Sequence, residues 1–359
     1  MNLHLMAPIG YTGYGYASLN ILQSLIEENN VGLTPIGNPN PETQAQADLL
    51  SHAVNLKDMI PYDAACLKIW HQFDLLSRVG KGKYFTFPFF EVDKFNPKEL
   101  HHLEFSDEII VASSWAKKVL QENDIEKPIH IVPMGVDTKI FDHSRETKET
   151  ANYIFLSIGK WEKRKAHDTM IQCFNQAFEQ EDNVELWLAT HNPFLNKEEE
   201  NQWLSLVENS KLRTKIKVFP RLPSHESIAE LISLSDCGVY ISRGEGWNLE
   251  LLETMAMNKP VIASNFSAHT EYCNKNNSFL VDITETEIAM DNKWFFGNSS
   301  WAKIDQDQID QTIQHMRHCY ENQIKTNENG LETAKQLTWK NCSNKIIQAI
   351  SHKSADTLL

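Results

Sequence analysis

Short runs of β-branched and aromatic residues alternate along the chain with longer stretches of helical apolar periodicity. Runs at residues 3–6, 66–70, 84–87, 108–112 and 129–132 predict strands in the first half. Runs at 153–158, 184–189, 216–219, 238–241, 261–263 and 279–281 do the same in the second. Strands alternating with helices build βαβ units and mainly parallel sheets. A helix over 17–28 follows the first strand, and an amphipathic helix over 337–352 carries Trp339, Ile346, Ile347 and Ile350 on one stripe. Between the two sets of strands, Pro133-Met134-Gly135-Val136-Asp137 leads into a polar, charge-dense segment at 142–149, the expected linker. After it the order of strand, glycine turn and helix begins again. Two doubly wound domains of similar size follow, over 1–145 and 150–335, with a terminal helix in 336–359.

A length of 359 residues is enough for two independent cores. The six cysteines are scattered without a CxxC pair or metal-ligand spacing, which points to a reducing compartment and free thiols. The run from Leu3 to Pro8 is too short for a signal peptide and lacks a basic flank, and no apolar run reaches the length of a membrane span. A cytoplasmic location is expected. The formal charge of −14, with an acidic excess already present in the first 150 residues, disfavours nucleic acid and anionic membrane surfaces as partners.

Open α/β sheets bind ligands beyond the carboxyl ends of their strands, so three loops carry the candidate chemistry. Gly10-Tyr11-Thr12-Gly13-Tyr14-Gly15 follows the first strand. Its glycines, Gly13 and Gly15 among them, allow close approach of a phosphate or sugar, and equally suit a tight βα turn. The third glycine of the dinucleotide fingerprint is missing. Gly159-Lys160-Trp161-Glu162-Lys163-Arg164-Lys165 places four cations in six residues. It reads either as a solvated face or as fixed positive charge for a diphosphate leaving group. In Arg243-Gly244-Glu245-Gly246-Trp247-Asn248-Leu249-Glu250-Leu251-Leu252-Glu253, two glutamates stand eight residues apart across a glycine loop and the helix it opens. Carboxylates for sugar hydroxyls and helix N–H groups for a diphosphate would then meet in one place. Spacing alone leaves an ordinary strand–loop–helix with solvated glutamates equally open.

As a set, these segments resemble family 4 glycosyltransferases of the GT-B fold. The resemblance rests on Gly-Lys-Trp-x-x-Arg-Lys, on Glu-Gly-Trp-Asn with its second glutamate, and on Lys259-Pro260-Val261-Ile262-Ala263-Ser264. Val111-Ala112-Ser113-Ser114-Trp115-Ala116 and the segment from Pro133 to Phe141 support it. It covers residues 105–285 best, and reaches the first 100 residues only through the glycine loop. The fold it implies is α/β: two Rossmann-like domains facing across a cleft, the last helix crossing back to the first. It implies that Lys160 and Lys165 hold the donor diphosphate, that Glu245 contacts hydroxyls of the transferred sugar, and that Glu253 accepts from the nucleotide ribose. The backbone of Gly246, Trp247, Asn248 and Leu249 would meet phosphate or sugar. Arg164 is an additional basic residue on the donor side. Asn248 departs from the glycine of many relatives, tuning donor choice or capping the helix.

A second departure concerns the His-Asp pair that relatives carry late in the first domain. Here the comparable stretch reads Glu91-Val92-Asp93, with His71 a competing acceptor-side candidate. The resemblance implies a retaining hexosyltransferase that uses a nucleoside diphosphate sugar (UDP- or GDP-linked), a hydroxyl acceptor and no metal or other cofactor. A sugar-nucleotide epimerase or phosphorylase of the same fold, and a non-catalytic sugar-nucleotide binder, are the alternatives. Asp305-Gln306-Asp307 precedes a helical run and reads as helix-end chemistry rather than a metal motif. His101-His102 reads as part of a polar connection. Trp294 and Trp301 flank a segment, 295–300, expected to be irregular.

Overall fold

The computed structural model describes residues 1–145 and 150–351, so part of the predicted linker (146–149) and the tail from His352 lie outside the described residues. The chain divides into two compact units. In chain order the first contains β1 (Asn2–Ala7), α1 (Gly13–Ile26), β2 (Asn30–Pro35), α2 (Gln44–Leu56), β3 (Ala65–Lys68), β4 (Tyr84–Thr86), α3 (Pro97–Glu104), β5 (Glu108–Val111), α4 (Ser114–Glu122) and β6 (Ile129–Ile131). The second contains β7 (Tyr153–Ile158), α5 (His167–Ala177), β8 (Val184–Ala189), α6 (Lys197–Glu208), β9 (Ile216–Val218), α7 (His225–Leu234) and β10 (Cys237–Tyr240). It continues through α8 (Leu249–Ala256), β11 (Val261–Asn265), β12 (Phe279–Asp282), β13 (Thr286–Met290), β14 (Phe296–Ala302), α9 (Gln306–Glu321) and α10 (Glu328–Gln336). The last helix, α11 (Trp339–Ser351), belongs to the first unit. Conversely Glu91–Asp93, flanked in sequence by first-unit residues, belongs to the second.

The first unit is built on a six-stranded parallel sheet in the order β2-β1-β3-β4-β5-β6. Its strands are short and apolar because helices cover both faces of such a sheet. Ile109 and Val111 of β5 pack with Val119 and Leu120 of α4 and with Phe90 and Leu103. β2 escapes the hydrophobic pattern. It carries Gly32 and ends on Pro35, which a central strand would not tolerate, and it lies at the sheet edge. Helix α1 begins at Gly13, earlier than the apolar pattern predicts, so the glycine loop is partly its first turn. A Cβ on Gly15 would stand 2.8 Å from Gly10 Cα, so this close backbone approach requires glycine.

The pair His101 and His102, expected in a connection, sits in α3. Asn96 caps that helix by accepting from the N–H groups of Lys98 and Glu99, and Pro97 opens it. His102 is buried, its Nδ1 accepting the Leu75 N–H at 2.8 Å. Helix α11 lays its apolar stripe on α1. Trp339, Ile346 and Ile350 are buried, Ile347 half-buried, and Ser343 Oγ meets Ser24 Oγ at 2.7 Å.

The second unit has a parallel sheet in the order β12-β11-β10-β7-β8-β9. Every residue of β7 and β10 is buried, as two-sided helix cover demands. Phe155, Leu186, Val239 and Ile262 from the sheet pack with Phe174 of α5 and Met316 of α9. Asp305 caps α9 through the Asp307 N–H. The segment expected to be irregular is instead strand β14, paired antiparallel with β13. Asp291 makes the turn, its Oδ1 accepting from the N–H groups of Lys293, Trp294 and Phe295. Trp301 is fully buried against Val92 and Ala289 and donates to Glu287, whereas Trp294 is 46% exposed at the turn.

Ile346 is fully buried in α11, the helix that packs on α1. Ile346→Ala is expected to destabilise the first unit by about 2–5 kcal/mol, measured as a lower midpoint in denaturant unfolding followed by circular dichroism.

Candidate active site

The carboxyl ends of β7 and β10 bring two of the predicted loops together in the second unit. The chain leaves β7 at Gly159 (φ +143°) and forms a single 3-10 turn over Lys163–Lys165. It leaves β10 through Arg243 and Gly244 to reach Glu245. Their backbones are tied directly: the Arg243 N–H donates to the Arg164 carbonyl at 2.7 Å. The Arg243 side chain donates to the Lys163 carbonyl at 2.7 Å and to Glu287 of β13 at 3.1 Å. Gly244 lies under the Glu91 carbonyl oxygen, where a Cβ would collide with it.

At the centre is the Arg164 guanidinium, only 5% exposed. It donates to the Gly244 carbonyl at 2.7 Å, to Glu245 Oε2 at 2.7 Å and to Glu162 Oε2 at 2.9 Å, with Glu91 Oε1 at 3.9 Å. Lys165 Nζ stands 2.8 Å from Glu245 Oε1, and Lys160 Nζ stands 2.8 Å from Glu162 Oε1. Three cations and three carboxylates thus interlock in one site, with Arg164, Lys165, Glu162 and Glu245 buried and Lys160 and Glu91 partly exposed. Lys160 is the most exposed of the cations and also lies over the Phe194 ring, 5.3 Å from its centroid.

Charge pairing decides the protonation states. Burial alone would raise the Glu245 carboxyl, but Arg164 and Lys165 hold it well below the usual carboxylate range. Glu162 is lowered in the same way, against burial, by Arg164 and Lys160. Glu91 is pushed upward, first by desolvation and then by Glu245 and Glu162, with Arg164 opposing.

Glu253, on the buried face of α8, behaves oppositely. It is 3% exposed, and no hydrogen bond or ion pair from the described residues reaches its carboxyl. Burial drives it well above the usual range, with Glu250 and Asp137 adding to the effect. Glu253 therefore has a free acceptor or, when protonated, a free donor for a ligand hydroxyl.

The start of α8 depends on Asn248. Its backbone is left-handed (φ +79°, ψ +83°), a conformation that glycine adopts freely and asparagine tolerates best among the rest. Its Oδ1 caps the Leu251 N–H at 3.3 Å, and its Nδ2 donates to His269 Nε2 at 2.9 Å. His269 Nδ1 in turn donates to the Ser264 carbonyl at 3.0 Å, which fixes the tautomer. Burial pushes the His269 imidazole down to about 4, so it is neutral at physiological pH. Tyr272 completes the support by donating to the Trp247 and Asn248 carbonyls at 2.9 and 3.0 Å, with its ring on Trp247. Ser267 Oγ accepts the Glu245 N–H at 2.9 Å.

Of the residues selected from sequence, Lys160, Arg164, Lys165, Glu245 and Glu91 meet in one cluster. Gly246, Trp247, Asn248, Leu249 and Glu253 form the adjoining loop and helix. Gly13, Gly15 and His71 belong to the first unit. Glu162 and Arg243 stand inside the two sequence motifs, but the sequence alone gives them no supporting role. Ser267, His269 and Tyr272 lie on the segment after β11, and only folding brings them to the loop.

Residues 138–295 match the family model described as glycosyl transferases group 1. Similar solved structures include a glycosyltransferase from Rickettsia africae (16% identity, TM-score 0.70, 97% of each chain covered). They also include sucrose-phosphate synthase from Thermosynechococcus elongatus (15% identity, TM-score 0.70, 97% of each chain). A third is Anabaena HepE in complex with UDP-glucose (12% identity, TM-score 0.68), covering 97% of this chain and 99% of HepE. No curated protein matches the chain significantly. The fold is GT-B, and the protein is a glycosyltransferase.

Arg164 neutralises carboxylates that cannot reach bulk water. Arg164→Met is expected to destabilise the second unit by about 3–5 kcal/mol, read by chemical denaturation. Glu253 gives a pH signature of the opposite kind. Because its folded pKa is raised, its contribution to stability is present below the unfolded value and lost as pH rises through the folded one. Relative to the unaltered protein, Glu253→Gln should therefore gain unfolding temperature from about pH 5 to about pH 8, measured by differential scanning fluorimetry.

Proposed function

We propose that the protein is a retaining, metal-independent glycosyltransferase that moves a hexose-type sugar from a nucleoside diphosphate sugar to a hydroxyl acceptor. The observation that carries this reading is the pairing of two differently tuned carboxylates with the buried Lys165 and the partly exposed Lys160 beside the start of α8. Glu245 is ionised and held by Arg164 and Lys165, suited to accept from hydroxyls of the transferred sugar. Glu253 is buried without a partner among the described residues, suited to a ribose hydroxyl.

Lys160 and Lys165 hold the diphosphate in this reading. Each ammonium has three N–H donors, so each can keep its glutamate and still serve a phosphate oxygen. The first-turn amides of α8 are aligned toward the same charge. As the bond from sugar C1 to the diphosphate oxygen breaks, negative charge grows on the leaving group, and these fixed donors stabilise it most in the transition state. A bond from the acceptor oxygen to C1 forms on the same face. The acceptor proton passes to the departing phosphate oxygen, and the nucleoside diphosphate is released. No strong protein base is needed, and Glu91, beside Arg164, orients the sugar or acceptor. UDP-sugars are the first donors to test, because HepE is bound to UDP-glucose.

Transfer by Lys165→Ala and by Glu253→Ala should fall about 10²–10³-fold, assayed by nucleoside diphosphate release with folding monitored by circular dichroism. Near-normal turnover in both variants would sink the reading. An isomerised sugar formed without acceptor, or dependence on inorganic phosphate, would point instead to an epimerase or a phosphorylase.

A further inference from the structure

The hairpin β13–β14 stands outside the six-stranded sheet of the second unit, between β12 and α9 in chain order. Its inner face carries Ala289 and Trp301, both fully buried, and the third buried member of that small apolar cluster is Val92. Val92 comes from the strap Glu91–Asp93, which is flanked in sequence by first-unit residues but belongs to the second unit. The strap is held at each of its residues. The Asp93 carboxylate accepts the Ser300 N–H of β14 at 2.6 Å, a charge-assisted bond. Val92 packs on Trp301, and the Glu91 carbonyl sits against Gly244, where no Cβ would fit.

The hairpin is tied in turn to both loops of the charged cluster. The Lys163 ammonium donates to the Met290 carbonyl at 3.1 Å, and the Ala302 N–H donates to the Arg243 carbonyl at 2.7 Å. One oxygen of Glu287 accepts from both Arg243 Nε and Trp301 Nε1, each at 3.1 Å. These contacts close a ring. Arg243 bonds to Glu287, Glu287 to Trp301, Trp301 packs on Val92, and Glu91 returns to Arg164, whose carbonyl accepts the Arg243 N–H. Glu91 is the carboxylate of the cluster best placed to meet a ligand. Glu162 and Glu245 each have oxygens within 2.9 Å of two cations, whereas Glu91 stands 3.9 Å from Arg164 with its side chain 32% exposed.

We infer that the β13–β14 hairpin is a clasp that sets the Glu91 carboxyl over the charged cluster, with Asp93, Val92 and Trp301 as its positioning residues. The strap has no helix or strand of its own, so its position must come from what it packs against. Position matters because a group misplaced by about 1 Å can cost on the order of 10²-fold in rate. What Asp93 supplies is an acceptor oxygen for the Ser300 N–H, which an asparagine would also offer. The inference rests on the glycosyl-transfer reading for its reaction and on contacts within the second unit for its geometry.

Nucleoside diphosphate release from UDP-glucose, UDP-N-acetylglucosamine and GDP-mannose is followed for the full chain and for Glu91→Gln, Asp93→Ala, Asp93→Asn and the double variant Glu91→Gln/Asp93→Ala. Asp93→Ala should lower kcat about 10–100-fold, as Glu91→Gln does, with the donor KM unchanged. Asp93→Asn should restore most of the rate. The double variant should be no slower than Glu91→Gln alone, because both changes remove the same contribution. Losses that multiply, a loss carried wholly by KM, or an unaffected kcat in Asp93→Ala overturns the inference. Hydrogen exchange read by mass spectrometry needs no substrate. Asp93→Ala should speed exchange in peptides spanning 91–93 and 296–302 and leave β7 and β10 unaltered; unchanged exchange in the strap overturns the clasp. If the unaltered protein releases no diphosphate from any of the three donors while exchange responds as expected, the transfer reading fails and the clasp stands.

Discussion

The second unit depends on one buried guanidinium. Arg164 spans the loops that follow β7 and β10, donating to the Gly244 carbonyl and to two carboxylates that come from both loops. Removing water from such charges is costly, and the cost is recovered only when each N–H has a well-aligned partner. That requirement fixes neighbouring features. Glu245 is ionised because Arg164 is there, Lys165 is drawn to the other Glu245 oxygen, and Gly244 must lack a side chain so that Glu91 can close over the cluster. The lysines suited to a diphosphate are therefore set in place by an arginine whose own hydrogen bonds go to the protein.

A second constraint acts at α8. The helix begins directly after the glycine loop, and the residue at its cap, Asn248, has a left-handed backbone. Asn248 holds it without glycine's flexibility, because its side chain both caps Leu251 and reaches His269. His269, neutral and locked by the Ser264 carbonyl, carries that restraint to β11. Asn248 holds a backbone shape that glycine would reach freely and adds a side-chain tether to it. Tyr272 bonds to the carbonyls of Trp247 and Asn248, holding the same turn from its other side.

Much of the fold was legible because a parallel sheet buried on both faces writes its strands as uninterrupted apolar runs. β7, β8 and β10 stand out for that reason, and so does the restart of the pattern after residue 150. What broke the pattern was missed: β2, with glycine and an edge proline, and the β13–β14 hairpin, whose exposed Ile288 and Phe296 leave no simple alternation. Helix α3 hid behind two adjacent histidines although its Asn-Pro start was a usable signal. In the site, residues close in sequence were found as motifs. Their partners Ser267, His269 and Tyr272, on the segment after β11, leave no sequence signal, because hydrogen bonding between separate elements leaves no periodic trace.

By itself the sequence determined the two parallel-sheet units and the basic and glutamate loops, since strand periodicity and glycine spacing are local properties of the chain. Only the tertiary structure decided what those charges do. Arg164 stands among the donor-side cations in sequence, yet in the folded unit its guanidinium is turned onto carboxylates. Glu245 and Glu253, alike in chemistry and near in sequence, are driven in opposite directions by burial with and without a counter-charge. Electrostatic energy in a poorly solvated interior depends on distance and solvation, and both are set by packing.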